Sequence, residues 1–245
     1  MPRWMLTLEY DGRPFSGWQV QAGMLTVQGA LQDGMRKFSG EDVVVYGSGR
    51  TDAGVHAAGQ TAHVDLARAT TADEIQGALN FHVKPHPIAV LVVTAVADDM
   101  HARFSAVRRH YCYRIVNRRA PLAIDAGLAL HVPYALDIPA MQQAAALLVG
   151  RHDFSTFRAA DCQSDGPVKT LDTIDLKTLD DEIHIHVSAR SFLYHQVRNM
   201  VGSLLMVGSG KWTVADFDAA FKAADRTKGG PTAPPDGLYF VKVEY

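Results

Sequence analysis

The sequence predicts an α+β fold, on three observations. Apolar residues alternate with polar ones in several short runs, the mark of half-buried strands. Other segments repeat apolar residues at helical spacing behind a Thr or Asp that can cap a helix. Strand-like runs also follow one another across turn residues, so hairpins are mixed with helices instead of alternating strictly with them.

Trp4, Leu6, Leu8 and Tyr10 alternate and predict the first strand. Asp11-Gly12 and Pro14 then open a loop that runs through Gly17 and Gly23. Thr26 caps a predicted helix whose apolar face is Val27, Ala30, Leu31, Met35 and Phe38. Residues 43–47 and 61–66 read as strands. Thr71-Ala72-Asp73-Glu74 is a capping-box signature for a helix to about Phe81. Residues 88–97 and 109–116 read as strands, and Asp137 opens a helix lined by Ile138, Met141, Ala145 and Leu148 that Gly150 ends. Residues 168–179 and 183–190 predict paired strands joined by the acidic turn Asp180-Asp181-Glu182. A helix over 194–207 is stopped by Gly208 and Gly210, and Thr213 caps another to about Ala224. A stiff Gly/Pro loop then leads to a last strand over 238–243. The break between halves is expected within 119–127, giving an N-terminal half, 1–120, and a C-terminal half, 121–245.

At 245 residues, 47% hydrophobic and 20% charged, the composition is that of an ordinary globular chain. No apolar run reaches the length of a membrane span, and the N-terminus enters the first alternating pattern without a signal-peptide signature. Two cysteines, Cys112 and Cys162, make neither a disulfide framework nor a four-cysteine zinc site, which points to a cytoplasmic protein with reduced thiols. The net charge of −2 hides strong segregation. Residues 101–119 hold six arginines and no acid, with Phe104, Tyr111 and Tyr113 interleaved. That mixture suits phosphate contacts combined with base stacking, although arginines on a solvated strand face would look the same.

The most informative segment is GSGRTDAGVHA, residues 47–57. Glycines at that density let the backbone bend sharply or approach a ligand closely. They bracket Arg50-Thr51-Asp52, a guanidinium and a carboxylate presented together on one loop. An aspartate beside glycine also forms turns, so the rest of the chain must decide its role. The loop lacks the GK[ST] ending of a P-loop, and no helix begins at Gly49 to make a dinucleotide fingerprint. Eleven histidines invite a metal, yet Asp52, His56 and His63, or His184 and His186, match no recurrent ligand spacing. Cys112, flanked by tyrosines in mid-strand, makes a poor nucleophile. Arg198 lies among apolar residues of the helix over 194–207, where an unpaired guanidinium is costly. Asp52 is the partner chosen for it, since a reacting carboxylate must stay ionised and a nearby guanidinium favours that form, although an Arg198 that merely surfaces at the helix edge would look the same.

GSGRTDAGVHA, with YDGRPFSGWQVQ (10–21), RRHYCYRI (108–115), GRHDFSTFRAADCQS (150–164), FLYHQVRNMVGSLLMVG (192–208) and GPTAPPDGLYFVKVEY (230–245), resembles the tRNA pseudouridine synthase A family across essentially the whole chain. The resemblance implies two similar α/β halves sharing a continuous, mainly antiparallel sheet, with helices packed on it and a positive cleft between the halves. It implies isomerisation of uridine to pseudouridine at positions 38, 39 and 40 of the anticodon stem-loop, on a base first drawn out of the stack. It further implies a homodimer that binds tRNA and needs neither cofactor nor metal. The family's catalytic aspartate falls on Asp52, its base-extruding arginine on Arg50, its active-site tyrosine on Tyr111 and its buried arginine on Arg198. Val197 and Leu238 fall where apolar surfaces would meet the base. Ser48 and Val20 depart from the residues usual there, alanine and a basic residue. Two rivals are a non-catalytic tRNA-binding protein using the same basic surface, and a metal-dependent phosphodiesterase built on Asp52, His56 and His63.

Overall fold

A computed structural model describes residues 1–245. In chain order the first elements are β1 (Arg3–Tyr10), α1 (Val27–Ser39), β2 (Tyr46–Gly47), β3 (His56–Asp65), α2 (Ala72–His82) and β4 (Ile88–Val96). Then come β5 (Arg108–Asn117), β6 (Leu130–Val132), α3 (Ile138–Ala146), β7 (Gly150–Asp153), β8 (Val168–Leu179) and β9 (Glu182–Ala189). The chain closes with α4 (Gln196–Gly208), α5 (Val214–Lys222) and β10 (Leu238–Glu244). The fold class is the expected mixture of helices with mainly antiparallel strands; only β10 on β3 and β6 on β5 are parallel. The chain forms two compact units, Met1–Val107 with Tyr239–Tyr245, and Arg108–Leu238.

In the first unit β1 pairs antiparallel with β3 on one side and β4 on the other. β10 runs parallel to β3 through Tyr239↔His56 and Phe240↔Ala57. The core gathers Leu6 and Leu8 of β1, Leu31 and Met35 of α1, Val64 of β3, and Ile75 and Leu79 of α2, all essentially without solvent contact. Burying each such side chain is worth about 1.5–3 kcal/mol. Thr26 accepts from Gly29 N to cap α1, and Thr71 with Glu74 closes the capping box of α2.

The expected strand over 43–47 is reduced to the two residues of β2. The cause is local: Val45 N donates to Gln32 Oε1, and Val45 O accepts from Gln28 Nε2. Two glutamines of α1 thus satisfy the backbone groups that a ladder would have used. β3, by contrast, starts at His56, five residues before the alternating pattern.

In the second unit β5 pairs with β9, β9 with β8, and β8 with β7, all antiparallel. Their core face carries Tyr113, Ile115, Ile185 and Val187, and α3, α4 and α5 add Met141, Met200, Leu204 and Phe217. α4 begins at Gln196 because His195 is left-handed, with φ 59°, and cannot continue a helix toward Tyr194. The capping box of α5 forms as expected between Thr213 and Asp216.

Candidate active site

Arg50 and Asp52 lie together on the loop between β2 and β3 of the first unit, Arg50 exposed and Asp52 half-buried. The segment after β1 clamps this loop. Trp18 N donates to Thr51 O at 3.0 Å, and the Tyr10 hydroxyl lies 2.8 Å from Thr51 Oγ1. Burial keeps that phenol protonated, its pKa pushed up to about 12. Gly54 N donates to Phe15 O, and Val55 N closes a turn onto Asp52 O at 3.1 Å. On the far side Ser48 Oγ donates to Gln60 Oε1 at 2.6 Å, while Gln60 Nε2 donates to Gly49 O.

Two glycines make this approach possible. A Cβ on Gly12 would stand 2.1 Å from Val55 O, and one on Gly17 would stand 2.7 Å from Thr51 O. Gly17 also has φ +93°, a region that side chains rarely tolerate. The carboxylate of Asp52 therefore projects from a backbone fixed on both flanks.

The histidines proposed for a metal-dependent rival are committed elsewhere. His56 is 1% exposed, and its Nδ1 accepts from Gly12 N at 3.1 Å. His63 is equally buried; its Nδ1 accepts from Ala102 N, and its ring stacks on Tyr46 at 5.0 Å. Burial, helped by the neighbouring His101, lowers the His63 pKa to about 4, so it is neutral near pH 7.

The remaining candidates, Tyr111, Val197, Arg198 and Leu238, belong to the second unit. Tyr111 lies on β5 opposite Val187 and meets Phe192 edge-on, 5.1 Å between ring centres. Val197 and Leu238 are 4% and 5% exposed. Arg198, in the first turn of α4, directs Nε to Ala233 O at 2.8 Å, while Ala233 N donates to Arg198 O. The 230–234 segment can run this close to α4 because Gly202 has no side chain: a Cβ there would fall 1.7 Å from Pro231 O.

A polar network holds the same segment. Asn199 Oδ1 accepts from Thr232 Oγ1 and from Arg226 Nη2, and Arg226 Nη1 donates to Gly230 O. Tyr113, fully buried, donates its hydroxyl to Pro234 O at 2.8 Å. Burial raises its pKa, opposed by the Arg198 charge. These positioning residues escaped the sequence reading, since their partners lie far along the chain. The sequence pointed to them only through the blocks that carry the resemblance, Tyr113 in 108–115, Asn199 in 192–208 and Thr232 in 230–245, while Arg226 lies outside every block.

The basic run over 101–119 is less bare than its composition suggests. Arg108 pairs with Asp172, Arg114 with Glu182 and Asp125, and Arg118 with Asp181. Arg109 donates to Arg190 O. The acidic turn between β8 and β9 thereby finds its role, as counter-charge for β5. Burial pushes the Cys112 thiol up to about 11, which removes it as a nucleophile at neutral pH.

The family model described as tRNA pseudouridine synthase matches residues 7–105 and 144–245. The tRNA pseudouridine synthase A of Xanthobacter autotrophicus is 57% identical over 245 residues, covering 100% of both chains. Its counterpart in Azorhizobium caulinodans is 56% identical over 100% of this chain and 95% of its own. That of Maricaulis maris is 54% identical over 100% and 98%. No helix is long and apolar enough to cross a membrane. With the motif loop held as described and the match running the length of the chain, the protein belongs to the tRNA pseudouridine synthase family and is an isomerase of that class.

Proposed function

We propose that this protein converts uridine to pseudouridine at positions 38, 39 and 40 of the tRNA anticodon stem-loop, with Asp52 as the reacting carboxylate. The observation that carries the reading is the clamped loop: Asp52 is the one carboxylate of GSGRTDAGVHA, and both its flanks are fixed by backbone contacts from the 10–18 segment. The reaction breaks the N1–C1′ bond, turns the uracil and joins C5 to C1′; the C5 proton leaves and N1 regains one. It exchanges no electrons and no atoms with a second substrate, so no cofactor enters.

The target base must first leave the stack. Arg50, exposed beside Asp52, takes the vacated space and grips phosphate. Tyr111 stacks on the extruded ring, with Val197 and Leu238 as apolar walls. This reading keeps Arg198 among the groups that hold the substrate. Asp52 then attacks C1′ or C6, or takes a sugar proton; these routes share the same requirement for its carboxylate. Three neighbouring target positions fit recognition of RNA shape and backbone over one base sequence. The same reading includes a homodimer, each tRNA touching both subunits, at work in the cytoplasm.

Carbodiimide mapping of tRNA incubated with the protein tests the assignment. Pseudouridine is expected at positions 38–40 and nowhere else. Modification confined to another stem, or tRNA bound without any modification, contradicts it; the second outcome would favour a non-catalytic RNA-binding protein.

A further inference from the structure

Across β5 and β9 the fold assembles a group that the chain does not announce. Cys112 sits directly opposite His186 in the antiparallel register, and His184 lies two residues away on the same face. One ligand atom from each, the Cys112 Sγ and a ring nitrogen of both histidines, all lie within 4.8 Å of one another. We propose that Cys112, His184 and His186 form a zinc-binding site on the face of the sheet opposite Tyr111, with the fourth position open to water.

The donor set is chemically apt. One thiolate and two imidazoles suit zinc, and three protein ligands with an open fourth position are a familiar tetrahedral arrangement. Bonds of about 2.0–2.3 Å put the ligand atoms of such a site roughly 3.5 Å apart, so closing the cluster requires side-chain rotations of about an ångström. The strands themselves need not move.

A second observation sets this cluster apart from a chance gathering. A ring nitrogen of His184, Nε2, lies 2.6 Å from Glu182 Oε2. A carboxylate on one imidazole nitrogen fixes the ring and its tautomer and leaves the other nitrogen to bind a metal, the usual support of a ligating histidine. Arg114 shares this face, but its charge is met by Glu182 and Asp125, so it does not repel a cation at full strength. Lys177 and Asp175, opposite His184 and His186 on β8, approach to 3.7 Å and offset one another. The His184 side chain is 20% exposed, which leaves a route of entry. On binding, the Cys112 thiol releases its proton to solvent and its sulfur bonds to the metal. The ion would tie β5 to β9 behind the strand that presents Tyr111.

The test uses the full chain, stripped with chelator and titrated with Co2+ as a spectroscopic stand-in, then with Zn2+. A thiolate-to-cobalt charge-transfer band is expected, saturating at one ion per chain and displaced by Zn2+. The band should vanish in Cys112→Ser and persist in Cys162→Ser, the other cysteine. Glu182→Gln should weaken binding about 10- to 100-fold. Zinc should also raise the Tm of the wild type and leave that of His186→Asn unmoved. Absence of the band in the wild type, its survival in Cys112→Ser, or its loss in Cys162→Ser overturns the proposal. If Cys112→Ser does not fold, His184→Asn and His186→Asn decide, and a band retained in both refutes the site. None of these readouts depends on turnover.

Discussion

The behaviour of single residues here turns on how closely backbone approaches backbone. Gly17 is the clearest case, since its φ of +93° and its contact with Thr51 O leave no room for a Cβ. Gly17→Ala is expected to cost about 1–2 kcal/mol from the left-handed backbone alone, read as a lower urea midpoint. Because Thr51 precedes Asp52, turnover should fall further than stability alone explains. Tyr10→Phe removes the hydroxyl beside Thr51 Oγ1 and should cost about 1 kcal/mol. The glycine-rich loop and its arginine–aspartate pair were plain in the sequence. The clamp beneath them was not: Tyr10 and Trp18 reach Thr51 across more than thirty positions, a proximity set by the pairing of β1 with β3.

Helices announced themselves better than strands. Thr26, Thr71, Asp137 and Thr213 each cap the helix expected of them, because a cap is a contact within a few residues. Thr213→Ala, which removes both a cap and its capping box, should lower stability by about 1 kcal/mol in thermal melts. The strands were harder where partners decide. Val43-Val44-Val45 has strand chemistry but yields its hydrogen bonds to Gln28 and Gln32, and β6 and β7 are too short to show a period.

Cross-strand register also governs charge on β5, whose arginines meet the acids of the β8–β9 hairpin. Asp181→Asn, removing the half-exposed partner of Arg118, should change stability by less than about 1 kcal/mol. On β3, His63 is neutral in the fold because its pKa is lowered to about 4 from the usual 6.5. Its contribution is complete above pH 6.5 and drains away as pH falls toward 4, since the unfolded chain binds the proton more readily. His63→Gln, which keeps an acceptor for Ala102 N, should therefore show a shallower loss of stability across that window in denaturant titrations.

For the molecule as a whole, net charge says little about its partner, because the arginines of one segment are balanced by acids drawn from another. What the family model and the relatives matched along the whole chain establish is a class of chemistry, and what the clamped loop supplies is a carboxylate on a stiff mount. If tRNA is held by its backbone, binding should weaken steeply and linearly on logarithmic axes as salt rises, as filter binding can record.

The most direct trial is single-turnover conversion of tRNA by Asp52→Asn, an isosteric change that removes only the ionisable oxygen. Binding should match the wild type while pseudouridine formation falls by at least about four orders of magnitude. A variant that still converts tRNA at a rate near that of the wild type would contradict a reacting carboxylate at this position.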